Sequence, residues 1–260
     1  MQKYQNLMRG GVILAALFAA SLAGCDRTAT SAPAAAGASG AEPAYELVTE
    51  RRPDSFSAQV RIQKAAYDMC VAAAKNANLP VKPFVVAPPD YVLERTTYRF
   101  DGKSYYMKQQ HFSVDITDTF PEKGCVTRIA EGGVINRAGN GVNESVDIDI
   151  DGKRVAGSDP MPPSSRFAGD TDAYTVARTE GGVALKCQAP DNPGLHPGLI
   201  TALCIVDAGN GRTLRNADGS PLVAYLRDEA SAAMSSAAVV VPVSLQLGKT
   251  DTTAFSGALK

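Results

Sequence analysis

Tyr91–Phe100 (YVLERTTYRF), Asp101-Gly102, then Ser104–Ile116 (SYYMKQQHFSVDI) is the stretch whose reading decides the fold. Two segments rich in aromatic and β-branched residues flank an Asp-Gly pair. Such pairs suit a two-residue hairpin turn, whose central positions take positive φ. In the second segment Phe112, Val114 and Ile116 alternate with Ser113, Asp115 and Thr117. Period-two alternation puts one face against a core and the other in water, so an antiparallel sheet is expected.

Downstream the pattern repeats. Cys125–Ile129 and Val134–Arg137 flank Glu131-Gly132-Gly133, which reads as a second hairpin. Ala138-Gly139-Asn140-Gly141 reads as a turn, Ser145–Ile150 as a strand, and Asp151-Gly152 as the turn that ends it. Ser158 to Asp172 is rich in proline, serine, glycine and aspartate and reads as an exposed loop or a boundary. Tyr174–Thr179 and Val183–Cys187 flank Glu180-Gly181-Gly182. Leu203–Asp207 and Leu222–Leu226 read as strands around Asn210-Gly211 and Asp218-Gly219, and Asp228–Ala237 as a short helix. Val239–Leu247 is a last strand, which Pro242 marks as an edge strand. Glu-Gly-Gly-Val recurs at 131–134 and 180–183, and Ala-Gly-Asn-Gly at 138–141 and 208–211. Both echoes read as turn chemistry in preference to a duplicated unit.

Upstream of the hairpin, Phe56 to about Ala77 is helical by spacing. Phe56, Val60, Tyr67, Cys70, Val71 and Ala74 share one face, while Arg61, Gln63, Lys64, Asp68 and Lys75 can point to water. Asp54 or Ser55 can cap its start, and Asn76–Pro80 stops it. Val81–Asp90 is a proline-rich connector. The fold class is therefore α+β: one N-terminal helix, then mainly antiparallel strands, with a two-lobed arrangement about a boundary near 158–172 left open.

The folded part has four cysteines, Cys70, Cys125, Cys187 and Cys204. An even number suggests two disulfides in an oxidising compartment, and three pairings are open. Proximity in sequence favours Cys187–Cys204, leaving Cys70–Cys125. Loop entropy gives such closures roughly 3 and 4 kcal/mol. The alternative, metal or redox chemistry, lacks any Cys-x-x-Cys spacing.

The first residues explain the compartment. Lys3 and Arg9 precede the apolar run Gly11–Ser21, which is shorter than the roughly 20 residues of a spanning helix. The run ends in Leu22-Ala23-Gly24-Cys25. Residues 1–25 resemble the signal peptide and lipobox of bacterial lipoproteins. The resemblance implies cleavage before Cys25, acylation of its thiol, and anchoring to a lipid bilayer by several acyl chains. Residues 1–24 are then the signal peptide. Residues 25–43, rich in alanine, serine and proline, form a disordered tether with a reach of roughly 20–25 Å. Residues 44–260 form a periplasm-facing domain. Asp26 resembles the inner-membrane retention signal of enterobacterial lipoproteins, which favours that membrane slightly and leaves the outer one open.

Composition narrows the function without naming it. The formal net charge is −1, and loss of Lys3 and Arg9 with the signal would leave the mature chain at −3. There is no basic block, so nucleic acid is not an expected partner. Tryptophan is absent, which disfavours a sugar-stacking site unless tyrosine builds one. Asp147-x-Asp149-x-Asp151-Gly152 looks like the start of an EF-hand loop, but Ser158 stands where the bidentate glutamate belongs. The intervening isoleucines favour a strand ending in an Asp-Gly turn. His111 and His196 are the only histidines and lack ligand spacing, so neither a metal nor a cofactor is expected. There is no Gly-x-Ser-x-Gly elbow, Ser-x-x-Lys or phosphate loop, and no catalytic residue is named. Tyr105, Tyr106, Met107 and His111 form a polar-aromatic cluster suited to an interaction surface. The reading that results is a non-enzymatic lipoprotein that binds a periplasmic or secreted protein, as an assembly factor or an inhibitor. Its layout resembles lipoproteins that protect cells against wall-degrading toxins. The alternatives are a peptidoglycan or small-ligand module and a wall hydrolase with an unrecognised site.

Overall fold

The computed structural model describes residues 42–117, 124–161, 171–192, 195, 200–228, 237–257 and 259. Cys25 and the rest of residues 1–41, His196, and residues 229–236 of the expected short helix lie outside them. Asp228, where that helix was expected to start, is the last residue of a strand.

Eleven strands make one antiparallel sheet. They are β1 (Tyr45–Pro53), β2 (Glu94–Phe100), β3 (Tyr105–Thr117), β4 (Val126–Gly139), β5 (Val142–Ile148), β6 (Arg154–Pro160), β7 (Tyr174–Glu180), β8 (Val183–Gln188), β9 (Ile200–Val206), β10 (Val223–Asp228) and β11 (Ala238–Leu247). Their order is β6-β5-β4-β3-β2-β1-β11-β10-β9-β8-β7. Every neighbouring pair is consecutive in the chain except β1 and β11, where Tyr45 lies opposite Leu247 and Pro53 opposite Ala238. β6 and β7, which follow one another in sequence, are thus the two opposite edges of the sheet.

The expected hairpin is β2–β3, but its turn is centred on Gly102-Lys103 rather than on Asp101-Gly102, and Asp101 lies outside the left-handed region. The Asp101 carboxylate accepts from the Lys103 and Ser104 backbone N–H groups at 2.8 Å each, and Gly102 takes a φ of 100°. The helix α1 (Phe56–Asn76) is also as expected: Ser55 Oγ accepts from Ala58 N at 3.3 Å, and Asn78 leaves the helix at a φ of 54°. It is not the first element, however. β1 precedes it, built from the alternation of buried Tyr45, Leu47 and Thr49 with Glu46 and Val48. Gln63 is buried rather than turned to water, because it shares the stripe of Tyr67, Cys70 and Ala74. Among the described residues no helix is long and apolar enough to cross a membrane.

Three further readings need correction. β4 runs unbroken through Glu131-Gly132-Gly133, so there is no hairpin there; β4 turns only at Asn140-Gly141 into β5. Ser158, Asp159 and Pro160 belong to edge strand β6, not to a loop. β11 is central, between β1 and β10. Pro242 is tolerated there for a local reason. β10 pairs only with Ala238–Val240, and the β1 register slips so that Val48 faces Ser244 and Thr49 faces Pro242. The missing N–H of Pro242 falls past the end of the β10 ladder.

The main core is enclosed by curvature of the sheet. Tyr45, Leu47 and Phe100 from β1 and β2 pack with Val183, Leu185, Cys187, Cys204, Val206, Leu214 and Leu222. The tip of the β7–β8 hairpin comes back onto β11, close enough that a Cβ on Gly181 would stand 2.3 Å from the Pro242 carbonyl oxygen. Both favoured disulfides are present. Cys187–Cys204 joins directly paired residues of β8 and β9 inside this core. Cys70–Cys125 fastens α1 beside β4 in a smaller cluster with Tyr67, Ala74 and the partly buried Phe84 and Ile116. The residues on either side of 158–172 belong to one compact unit rather than two lobes.

Candidate functional site

The sheet has two chemically different faces over β1–β5. Register places Tyr45, Phe100, Tyr105, Ala138 and Asn143 in one transverse row, and Leu47, Tyr98, Met107, Asn136 and Ser145 in the next, all on the same face. The opposite face carries Glu46, Arg99, Tyr106, Arg137 and Glu144.

On the first face, where the sheet leaves the rolled core, there is a cavity of about 320 Å³. Its walls include Tyr45, Tyr98, Tyr105 and Met107 from the strands, Asn136 and Asn143 from β4 and β5, and Asn216, Asp218 and Ser220 from the β9–β10 connection. That connection is pinned. Tyr45 Oη donates to the Arg215 carbonyl at 2.7 Å, and Arg215 N–H donates to Glu42 at 2.7 Å. Asp218 accepts from the Ser220 hydroxyl at 2.6 Å, and the Asn216 amide donates to Ser220 Oγ at 3.1 Å. Tyr105 stacks on Phe100 with ring centroids 4.4 Å apart and donates its hydroxyl to Glu42 at 3.2 Å.

Electrostatics in this corner favour neutral phenols. Burial raises the Glu42 carboxyl, against the pull of its bonds from Arg215 and Tyr105. Burial, then the Glu42 charge, pushes Tyr45 and Tyr105 up from the ordinary phenol range. Burial and the nearby Glu94 do the same to Tyr98. These tyrosines form ring walls, and Tyr45 and Tyr105 donate their hydroxyls to Arg215 and Glu42.

The opposite face is an ionic ladder. Arg99 bonds Glu46 at 2.8 Å and approaches Asp251 at 3.6 Å, and Arg137 Nε donates to Glu144 at 2.7 Å. Phe255, in the short 3-10 turn Thr252–Phe255, meets the Tyr106 ring edge-on at 6.4 Å, and Arg99 lies over the same ring. Further along, Glu50 is held by Arg52 and Arg95; burial alone would raise its carboxyl, but the two guanidiniums bring it below the usual value.

The expected interaction cluster is divided by this geometry. Tyr105 and Met107 line the cavity. Tyr106 borders it but turns its ring to the ladder. His111 lies six residues along β3, roughly 20 Å away at the usual strand rise, with Nδ1 3.3 Å from Glu94. Spacing along a strand does not make a cluster, since neighbours alternate faces. What sequence reasoning missed are the cross-strand partners Asn136 and Asn143, which strand register brings in, and the 216–220 loop, which the bonds of Arg215 to Tyr45 and Glu42 hold in place.

Asp147-x-Asp149-x-Asp151 serves a turn. Asp149 accepts from the Asp151 and Lys153 backbone N–H groups at 3.0 and 2.8 Å, and Asp151 pairs with Arg128 at 2.7 Å. Among the described residues no three His, Cys, Asp or Glu side chains gather to hold a metal ion. No protein-family model matches the chain, and neither does a curated protein or a solved structure.

Proposed function

We propose that the chain is a bacterial lipoprotein, anchored by acylated Cys25 and facing the periplasm, whose β-rich domain binds a periplasmic or secreted protein without catalysing a reaction. The observation that carries the reading is the pairing of Leu22-Ala23-Gly24-Cys25 with two disulfides in the folded part. Disulfides persist in oxidising compartments, and a lipobox delivers its protein to one. The anchor and the tether would hold the domain within reach of the membrane. The inner membrane, slightly favoured by Asp26, is part of the same proposal.

The binding half of the reading is supported by the edge strand β6. All its residues are exposed, and its outer side has no ladder partner among the described residues. A free edge offers main-chain hydrogen bonds to an extended segment of a partner. The test is in-cell crosslinking and co-purification of the native protein from its own host, read by mass spectrometry. A single stoichiometric protein partner, lost on Ala156→Pro in β6, is expected. Recovery of no protein partner, or of an unlipidated chain, overturns the corresponding half of the proposal.

A further inference from the structure

We infer that the cavity on the first face is a binding site for one neutral sugar unit, an N-acetylated hexose ring in particular. The inference goes beyond the protein-binding reading and stands whether or not a protein partner exists.

Size sets the scale. At about 320 Å³ the cavity lies at the small end of ligand sites, roughly 300–1,000 Å³, so it suits a single ring rather than a long chain. The walls set the shape. The hydroxyls of Tyr45 and Tyr105 are already committed to Arg215 and Glu42, so these residues offer rings, not hydroxyls. Aromatic rings with the thioether of Met107 suit the C–H face of a sugar and the methyl of an acetamido group.

Polar groups set the identity. Among the described residues the side-chain amides of Asn136 and Asn143 have no hydrogen-bond partner, although both are half-buried and line the cavity. Asn136 faces Ser145 and Asn143 faces Ala138, which makes the two asparagines diagonal neighbours on adjacent strands. Diagonal neighbours stand roughly 7–8 Å apart, somewhat less between Cβ atoms, so both amides can reach one ring. Each amide offers two donors and an acceptor, matching vicinal hydroxyls or an acetamido group. These amides are open to water in the cavity and uncommitted among the described residues, so they are available to a ligand.

Charge excludes the anionic alternatives. Arg99 borders the cavity, but its guanidinium is held by Glu46 and Asp251 on the other face. Arg215 is not part of the lining and donates to the Gly219 carbonyl at 2.8 Å. Asp218 is occupied by Ser220. Among the described residues that line the cavity Arg99 is the one cation, so the walls offer no unpaired positive charge to a phosphate or a carboxylate. The pinned 215–220 loop gives the site its form before a ligand arrives, which lowers the ordering cost of binding.

The full-length chain should be titrated with N-acetylglucosamine and N,N′-diacetylchitobiose, with glucose and inorganic phosphate as comparators. Calorimetry gives affinity, and tyrosine fluorescence reports on the wall in a chain that has no tryptophan. The expected result is saturable binding of both acetylated sugars, at least tenfold weaker for glucose and undetectable for phosphate. Asn136→Leu and Asn143→Leu should each weaken it at least tenfold with an unchanged thermal midpoint. Asn136→Ser and Asn143→Ser, which shorten the side chain and remove the amide, serve if the leucine variants fail to fold. No saturable binding of either acetylated sugar, phosphate binding of equal strength, or affinity untouched in the asparagine variants would each overturn the assignment.

Discussion

Glu131-Gly132-Gly133-Val134 and Glu180-Gly181-Gly182-Val183 are the same four residues in two places, and they fold differently. The second copy is a hairpin turn: Gly181 and Gly182 have φ of 54° and 78°, and Glu180 pairs with Val183 across them. The first copy is the middle of β4, paired to β3 on one side and, from Gly133, to β5 on the other. Its glycines are needed for closeness, since a Cβ on Gly133 would stand 2.1 Å from the Gln109 carbonyl oxygen. Ala-Gly-Asn-Gly behaves otherwise. At Asn-Gly both copies are turns with nearly equal angles, φ of 51° and 79° at Asn140 and Gly141, and 52° and 72° at Asn210 and Gly211; they differ one residue earlier, where Gly209 has a φ of 77° and Gly139 ends β4. Asn-Gly demands a left-handed pair, whereas Gly-Gly only permits one. Where the demand is weak, neighbouring strands decide.

Substitutions can break the comparison. The largest effect is expected for Gly133→Ala, about 3 kcal/mol of lost stability in chemical denaturation, because backbone on a paired strand must shift to admit a methyl. A loss below about 1 kcal/mol would show that β4 does not need the close approach. Gly181→Ala should follow at about 2 kcal/mol, combining a positive φ with the contact to Pro242. Its loss should also loosen the closure of the β7–β8 tip on β11, seen as faster amide exchange there. Gly141→Ala and Gly211→Ala meet no neighbour within 4 Å, so each should cost only the left-handed strain, about 1 kcal/mol. The two values should agree within about 0.5 kcal/mol, and a clear inequality would sink the claim that these turns are equivalent. Smallest of all is Gly182→Asn, with nothing near its Cβ and a residue that tolerates left-handed angles; a midpoint shift within about 0.5 kcal/mol of zero is expected.

The same distinction explains what could be read in advance. The β2–β3 hairpin, α1 with its Ser55 cap, and the Asn-Gly turns are written in local chemistry. The disulfide pairs followed from sequence proximity for Cys187 and Cys204, and by elimination for Cys70 and Cys125. β6 was unreadable because Arg154–Pro160 has no alternation; it is a strand only because β5 holds it. Pro242 looked like a sheet edge because a local gap in the β10 ladder has the same sequence signature as a global one. The cavity is half legible. Tyr105 and Met107 stand out in the sequence, but Asn136 and Asn143 look like ordinary strand residues until register sets them beside the tyrosines, and Asp218 like a turn residue until Tyr45 and Glu42 pin its loop.

The seam between β1 and β11 has a kinetic side. Nine of the ten neighbouring strand pairs are consecutive in the chain, so most of each half of the sheet can zip locally. The entropy of closing a long loop falls on one ladder, the pairing of Tyr45–Pro53 with Ala238–Leu247. Contact order is therefore concentrated in the middle of the molecule rather than spread over it. Viewed as a ring, the strand order is a simple meander cut at its centre, with its ends meeting there. A circular permutant that joined those ends and opened the chain between β6 and β7 would keep every strand pair of the sheet while making the slowest one local.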